Sequence, residues 1–379
     1  MSLLGFYMTE HLGVSKTHFG LVEGIAVGTA FLSKFLAGAL SDVFAKRLPF
    51  IFLGSFGSFC MKPLLALTTA AHWVFFARFI DRFSKGLRAA PTDALIGDLS
   101  SRSTLFKSFG LRQTFYTAGA ICGALLAQCT MSFTKDYHLL FGLSAFPGAL
   151  SIIVLLLFVK EPKQFQSEKW PSASRYRWEM KGILKLPSSF WMLLALACVL
   201  MLARFSENFL LFRAREAGFA ISTTPLLLVA YELVHALIAY PMGKLADRSN
   251  KSSLLLIGIA TLILANCVLF SSLNPWMALL GILLAGTHMG LTQGLLAGLI
   301  AQSAPRELRG TAFGLFYLVC GGSIIASNAL AGYLSDVFDG GAAFIAGACF
   351  SASALLLGLM QMFAQKPGIP GPVPARSRP

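Results

Sequence analysis

The sequence predicts an all-α membrane protein of two pseudo-symmetric six-helix bundles, with the first helix largely missing from this chain. Three observations carry that expectation. Of 379 residues, 56% are apolar and 13% charged, about half the charged share usual in soluble domains. Nearly every stretch between polar punctuation runs about 20 to 28 residues, enough to cross a bilayer as a helix. The chain also repeats itself: "GALSD" (38–42) returns as "GKLAD" (243–247), and "RSTLFKSFG" (102–110) as "RELRGTAFG" (306–314), offsets of 205 and 204.

The elements follow in order. In the first half the apolar spans are 17–41, 49–70, 72–99, 105–131 and 137–160. The run 161–188 is polar, basic and Pro/Ser-bearing, and reads as a linker. The second half gives 189–215, 222–247, 252–272, 275–302, 310–336 and 341–364. Bundles therefore occupy 1–160 and 189–364, followed by a Pro/Gly-rich disordered tail over 365–379. Both halves keep one inside–outside sense, which makes this a parallel repeat. The second half opens with a helix at about 189–212. Subtracting the 205-residue offset places most of its counterpart before Met1, with "MSLLGFY" as its remnant. The expectation is a start placed too far downstream, or else a chain of eleven full spans.

Charge placement supplies the topology. The net charge is +14. The loops on one side, with the linker and the tail, hold eighteen Lys and Arg; the opposite side holds only Lys16, Lys135, Arg213 and Arg215. That asymmetry puts the linker and the C-terminus in the cytoplasm and implies contact with anionic lipid rather than nucleic acid. The seven cysteines lie in apolar spans without a CxxC pair, and the six histidines show no metal spacing, so no metal or cofactor is expected. No GxxxxGK[ST] loop appears, nor any clustered nucleophile and base, which argues against ATP drive and against an enzyme. No signal peptide is read at the N-terminus.

One helix is unusually charged. In "RFIDRFSKGLRAAPTDALIGD" (78–98), Arg78, Asp81, Arg82, Lys85 and Arg88 fall within an arc of about 120°. Turned to lipid, five such charges cost about 15 kcal/mol. The arc is therefore expected to face a wetted cavity or charged partners. Bases outnumber acids in the spans of the first half, which favours an acid-bearing solute. Glu23 and Lys34 share a helix face, Arg204 lies one turn from Glu207, and Glu232 one turn from His235. A carboxylate so placed can exchange protons near neutrality. Gly286, Gly290, Gly294 and Gly298 form a close-packing row.

Several of these runs resemble a known family. "GALSDVFAKR" and its copy "GKLADRSNK" are similar to the loop signature of the major facilitator superfamily, and "RFSKGLRAA" (82–90) resembles its fourth-helix signature. The charged run together with "ARFSENFLLFRA" (203–214) and "PRELRGTAFGLF" (305–316) resembles a bacterial subgroup of undefined substrate. The resemblance implies alternating access around one central site in an inner membrane, by a monomer. It departs at Val43, where an Arg is usual, which weakens the first-half latch, and at Ala124, which removes an antiporter marker. Gln293 and Gln302 stand where acids are usual.

The reading is thus a secondary transporter of a small anionic solute, coupled to protons. Arg78, Arg82, Lys85, Arg204, Asn208 and Gln113 are expected to bind the solute, and Glu23, Glu207, Asp81 and Glu232 to handle protons. Asp42, Asp98, Asp247 and Arg248 are expected to latch the cytoplasmic ends. Drug or siderophore export, metal-chelate import, and a lipid-moving or sensor protein stay open as alternatives.

Overall fold

The computed structural model describes residues 16–68, 70–134, 137–161, 186–205, 207–219, 224–272, 274–338 and 340–364, with side chains in the first helix described from Thr29 onward. Its first half contains α1 (Lys16–Val43), α2 (Leu48–Leu67), α3 (Ala71–Leu99), α4 (Leu105–Thr134), α5 (Tyr137–Leu143) and α6 (Ala145–Phe158). The second half contains α7 (Ser188–Leu202), α8 (Glu207–Glu216), α9 (Thr224–Arg248), α10 (Lys251–Phe270), α11 (Pro275–Ser303), α12 (Arg309–Val337) and α13 (Ala342–Ala364). No strand occurs among the described residues. Among the described residues, seven segments are apolar and long enough to cross a membrane by length and composition alone. The charged α3 is not one of them, because its mid-section carries the arc described above.

Two expected spans are broken. The run 137–160 divides at Ser144, and 189–215 divides between Leu202 and Glu207. Interrupting a buried helix frees backbone carbonyls that need donors. At the second break Ser327 Oγ on α12 serves both, donating to the carbonyls of Leu202 (2.8 Å) and Arg204 (3.2 Å).

The halves meet through α1 against α12 and α4 against α9, with α11 and α12 also touching α3 or α4. Their contact follows the sequence repeat. Gly38 lies against the backbone of Gly310 and Gly314, and Gly243 against Phe106 and Gly110. A Cβ at Gly243 would stand 2.5 Å from the Phe106 carbonyl oxygen, so only glycine permits this approach. Phe109 and Phe313 occupy equivalent repeat positions and pack on each other, ring centroids 5.9 Å apart. Around them Ala90, Ala94, Leu105 and Phe106 join Leu296, Ile300 and Ala312 in one buried apolar cluster. This end of the interface is sealed. The glycine row of α11 packs against two helices in turn: Gly286 and Gly290 against α9, and Gly294 and Gly298 against α4.

Candidate functional site

A cavity of about 750 Å³ lies between the halves. Lys34 (α1), Arg82 (α3), Arg112 (α4) and Arg204, at the break before α8, contribute basic side chains to its wall. Glu207 is the one carboxylate in the described lining. Aromatic and apolar side chains, among them Phe31, Phe316, Tyr317 and Phe344, make up much of the rest.

The cations are held differently. Among the described residues Arg204 bonds only neutral groups: Nε donates to His288 Nε2 at 3.0 Å, one terminal nitrogen donates to Thr292 Oγ1, and the other lies 3.8 Å from Met201 Sδ. His288 Nδ1 stands 2.6 Å from the Gly258 carbonyl oxygen. A carbonyl only accepts, so Nδ1 carries the proton and Nε2 is left as the acceptor for Arg204. Lys34 Nζ sits over two aromatic rings, 4.5 Å from the Tyr317 centroid and 5.0 Å from that of Phe31. Such cation–π contacts offset part of the desolvation cost without cancelling charge. Arg112 is paired, its Nε 2.9 Å from Asp93 Oδ1. Gln293 lines the cavity with a buried carbonyl oxygen that has no hydrogen-bond partner.

The predicted residues are thereby divided. Arg82, Arg204 and Glu207 line the cavity. Lys85 and Asp81 lie outside its lining: Lys85 Nζ is 2.6 Å from Asp81 Oδ2, and Ser58 Oγ on α2 donates to Asp81 Oδ1 at 2.5 Å. Arg78 is buried elsewhere in the first half. Gln113 is buried and donates to Thr117 at 3.3 Å, also away from the lining. Glu232 lies 3.3 Å from His235 Nδ1, one turn along α9. The side chains of Glu23 and Asn208 lie outside the described residues, as do the linker from 162 to 185 and the tail. Lys34, Arg112, Asp93, Tyr317, His288 and Thr292 belong to the same site but were not singled out as binding or coupling residues. A lone Lys in an apolar span is the one signal that marks Lys34.

The latch residues form a crossed pair. Asp42, ending α1, accepts from the backbone N–H of Gly310 (3.0 Å) and Thr311 and from the Thr311 hydroxyl (2.7 Å). Asp247, ending α9, accepts from the N–H of Phe106 (3.0 Å) and Lys107 (2.9 Å). Each carboxylate thus caps the first turn of a helix in the opposite half, where free N–H groups and the helix dipole favour negative charge. Asp98 bonds Arg309 at 2.9 Å. Arg248 is exposed and has no ion-pair partner among the described residues. Position 43 carries no guanidinium, but Arg47 brings one to Asp42. Fully buried, Arg47 bridges Asp42 and Asp98. Burial alone would lower its pKa, but the two carboxylates outweigh it and hold it above the ordinary arginine value. Glu161 adds a further cap, accepting from the N–H of Arg47 and Leu48 at the start of α2.

Comparison with known proteins agrees with this architecture. The sequence profile described as Major Facilitator Superfamily matches residues 1–327 and 208–379. An uncharacterised MFS-type transporter of Methanocaldococcus jannaschii is 30% identical over 375 residues, covering 96% of this chain and 89% of its own. The inner membrane transport protein YajR of Escherichia coli K12 is 22% identical, covering 90% and 74%. Among solved structures, the human organic anion transporter MFSD10 superposes with a TM-score of 0.76 at 17% identity, over 94% of this chain and 88% of that one. The fucose:proton symporter FucP of E. coli gives 0.72 at 16%, over 94% and 93%. Crossed carboxylate caps, a repeat-related interface and a charged central cavity are thus found in a multi-pass membrane protein that belongs to the Major Facilitator Superfamily of secondary transporters.

Proposed function

We propose that this transporter carries a small organic anion by alternating access, coupled to proton movement. One observation supports the anion above all others: Arg204 stands in the cavity wall bonded only to neutral groups, and Lys34, Arg82 and Arg112 share that wall. A half-buried cation whose described partners are all neutral keeps part of its desolvation cost, which a carboxylate- or phosphate-bearing solute offsets. Arg204 retains donors beyond those bonded to His288 and Thr292, and a guanidinium binds such groups in two-pronged fashion. Arg82, with Asn208 at the break, completes the solute set, and Gln293 offers an unused carbonyl. Arg78, Lys85 and Gln113 act from outside the lining, by setting the position of α3 and α4.

Glu207 is the cavity carboxylate suited to proton exchange, with Glu232 and Glu23 as further carriers and Asp81 as a fixed partner of Lys85. The bundles over 1–160 and 189–364 rock about the glycine contacts, released at one end when Asp42, Asp98 and Asp247 let go. The basic loops put that end, the linker and the tail on the cytoplasmic side of a bacterial inner membrane, and a monomer suffices for the cycle.

The reading is tested by thermal shift of the purified protein against carboxylate- and phosphate-bearing metabolites and siderophores, each beside a neutral analogue. Ligand at a hundredfold its Kd adds about 2.7 kcal/mol of stability. Stabilisation by anions alone supports the reading, and stabilisation by neutral or cationic compounds alone sinks it. Uptake of the best anion by vesicles, with and without a pH gradient, tests the coupling.

A further inference from the structure

One cluster joins the halves deeper than the latches, and neither the solute set nor the latch accounts for it. Asp93 on α3 is fully buried. Its Oδ1 lies 2.9 Å from Arg112 Nε on α4, and its Oδ2 accepts a hydrogen bond from the Tyr317 hydroxyl on α12. Lys34 on α1 covers the Tyr317 ring. Of these four residues only Tyr317 belongs to the second half. Lys34, Arg112 and Tyr317 also line the cavity, so the cluster touches the solute space and the interface at once.

We propose that Asp93 is a further proton-binding site beside those carriers, the one whose protonation separates the two halves, with Tyr317 as the reporting group. This rests on the proton-coupled reading above and gives the coupling a place. The ionised carboxylate faces one partner with each oxygen, an ion pair without a hydrogen bond to Arg112 at Oδ1 and a hydrogen bond from Tyr317 at Oδ2. A proton taken from bulk water through the cavity and placed on Oδ1 sets an O–H donor against the Arg112 N–H. Placed on Oδ2, it sets a donor against the Tyr317 hydroxyl. Either position cancels the negative charge on which both partners act, ending the ion pair with Arg112 and reducing the Tyr317 contact from a charge-assisted hydrogen bond to a neutral one. A solute anion drawing Arg112 away has the same consequence, since it removes the charge that keeps a fully buried carboxylate ionised. The charged and titratable groups facing Asp93 are Lys34 from α1, Arg112 from α4 and Tyr317 from α12; none comes from α2 or α11 among the described residues. Tyr317 lies about two turns beyond Gly310 and Thr311, the amides held by Asp42, on the same helix. Loss of its anchor frees that helix to leave α1.

Amide hydrogen exchange of the detergent-purified full chain reads this directly, without a solute. The reporters are the latch amides of Gly310, Thr311, Phe106 and Lys107, corrected for intrinsic exchange at each pH. One linked proton lets the opening constant rise by up to about tenfold per pH unit as the pH falls through the titration. The expected result is progressive loss of protection on acidification in the wild type. Asp93→Asn should show low protection at every pH, and Tyr317→Phe a flattened response even if the Asn variant fails to fold. A wild-type pH response in either variant overturns the proposal. So does a flat response in Glu207→Gln beside a normal one in Asp93→Asn, which moves the proton site to Glu207. Because no solute is present, this outcome is independent of the anion screen, whose failure would instead count against the transported class.

Discussion

At the scale of residues, the site depends on which atoms of Arg204 are already committed. His288 offers it a neutral acceptor because the Gly258 carbonyl takes the proton-bearing nitrogen. That argument separates two conservative substitutions. Gln at 288 reaches with its carbonyl oxygen toward the place of Nε2, whereas Leu offers nothing. His288→Gln is therefore expected to keep anion-induced stabilisation within a few fold, and His288→Leu to weaken it about tenfold, the worth of one hydrogen bond to a charged group. Equal losses in a thermal-shift titration would mean that His288 only fills space. Arg204→Gln removes the charge itself, and about 1.5–3 kcal/mol of anion binding, roughly tenfold to a hundredfold in Kd, should go with it. Its neutral partners leave no orphaned carboxylate, so the folded protein should keep its melting temperature within a few degrees. Sequence spacing made Arg204 and Arg82 legible, but not their division from Arg78 and Lys85. The arc on α3 is wide enough to address two neighbours, and only packing shows that Asp81 and Lys85 turn toward Ser58 on α2.

At the scale of elements, helix ends explain the latch. Asp42 and Asp247 each cap a helix to which they are linked only by the fold, and a cap is worth about 1 kcal/mol. Asp42→Ala should raise exchange at Gly310 and Thr311 about fivefold, and Asp247→Ala should do the same at Phe106 and Lys107. Arg47 is a harsher site. Replacing it by Met takes the counter-charge from buried Asp42 and one of two from Asp98; breaking a buried pair costs about 3–5 kcal/mol, and a drop in melting temperature larger than that of Asp42→Ala is expected. Most helices were readable because run length and apolarity decide them. The break between Leu202 and Glu207 was not, since "ARFSEN" carries no Gly or Pro. Its carbonyls are satisfied by Ser327, a residue more than a hundred positions away. The same distance hid Arg47: the resemblance directs attention to position 43, while the guanidinium arrives four residues later along the loop.

At the scale of the whole molecule, the repeat is also the interface. Gly38 and Asp42 meet the start of α12, their counterparts Gly243 and Asp247 meet the start of α4, and Phe109 meets its own counterpart Phe313, so each half presents to the other what it receives. The offset in the sequence made two bundles legible, but not that the repeated motifs would touch one another. If the halves move as rigid bodies, a wedge at one crossing must disturb both. Gly243→Val supplies that wedge, because its side chain meets the Phe106 carbonyl and Gly110 backbone, which have no rotamer by which to yield. The expected outcome is faster amide exchange at Phe106 and Lys107 beside the wedge and also at Gly310 and Thr311 at the other crossing, with α10, packed inside the second half, keeping its protection. Gly38→Val should give the mirror result. Acceleration confined to the nearer pair would show that the crossings yield independently, and rocking about a shared interface could not then be how the cavity changes sides.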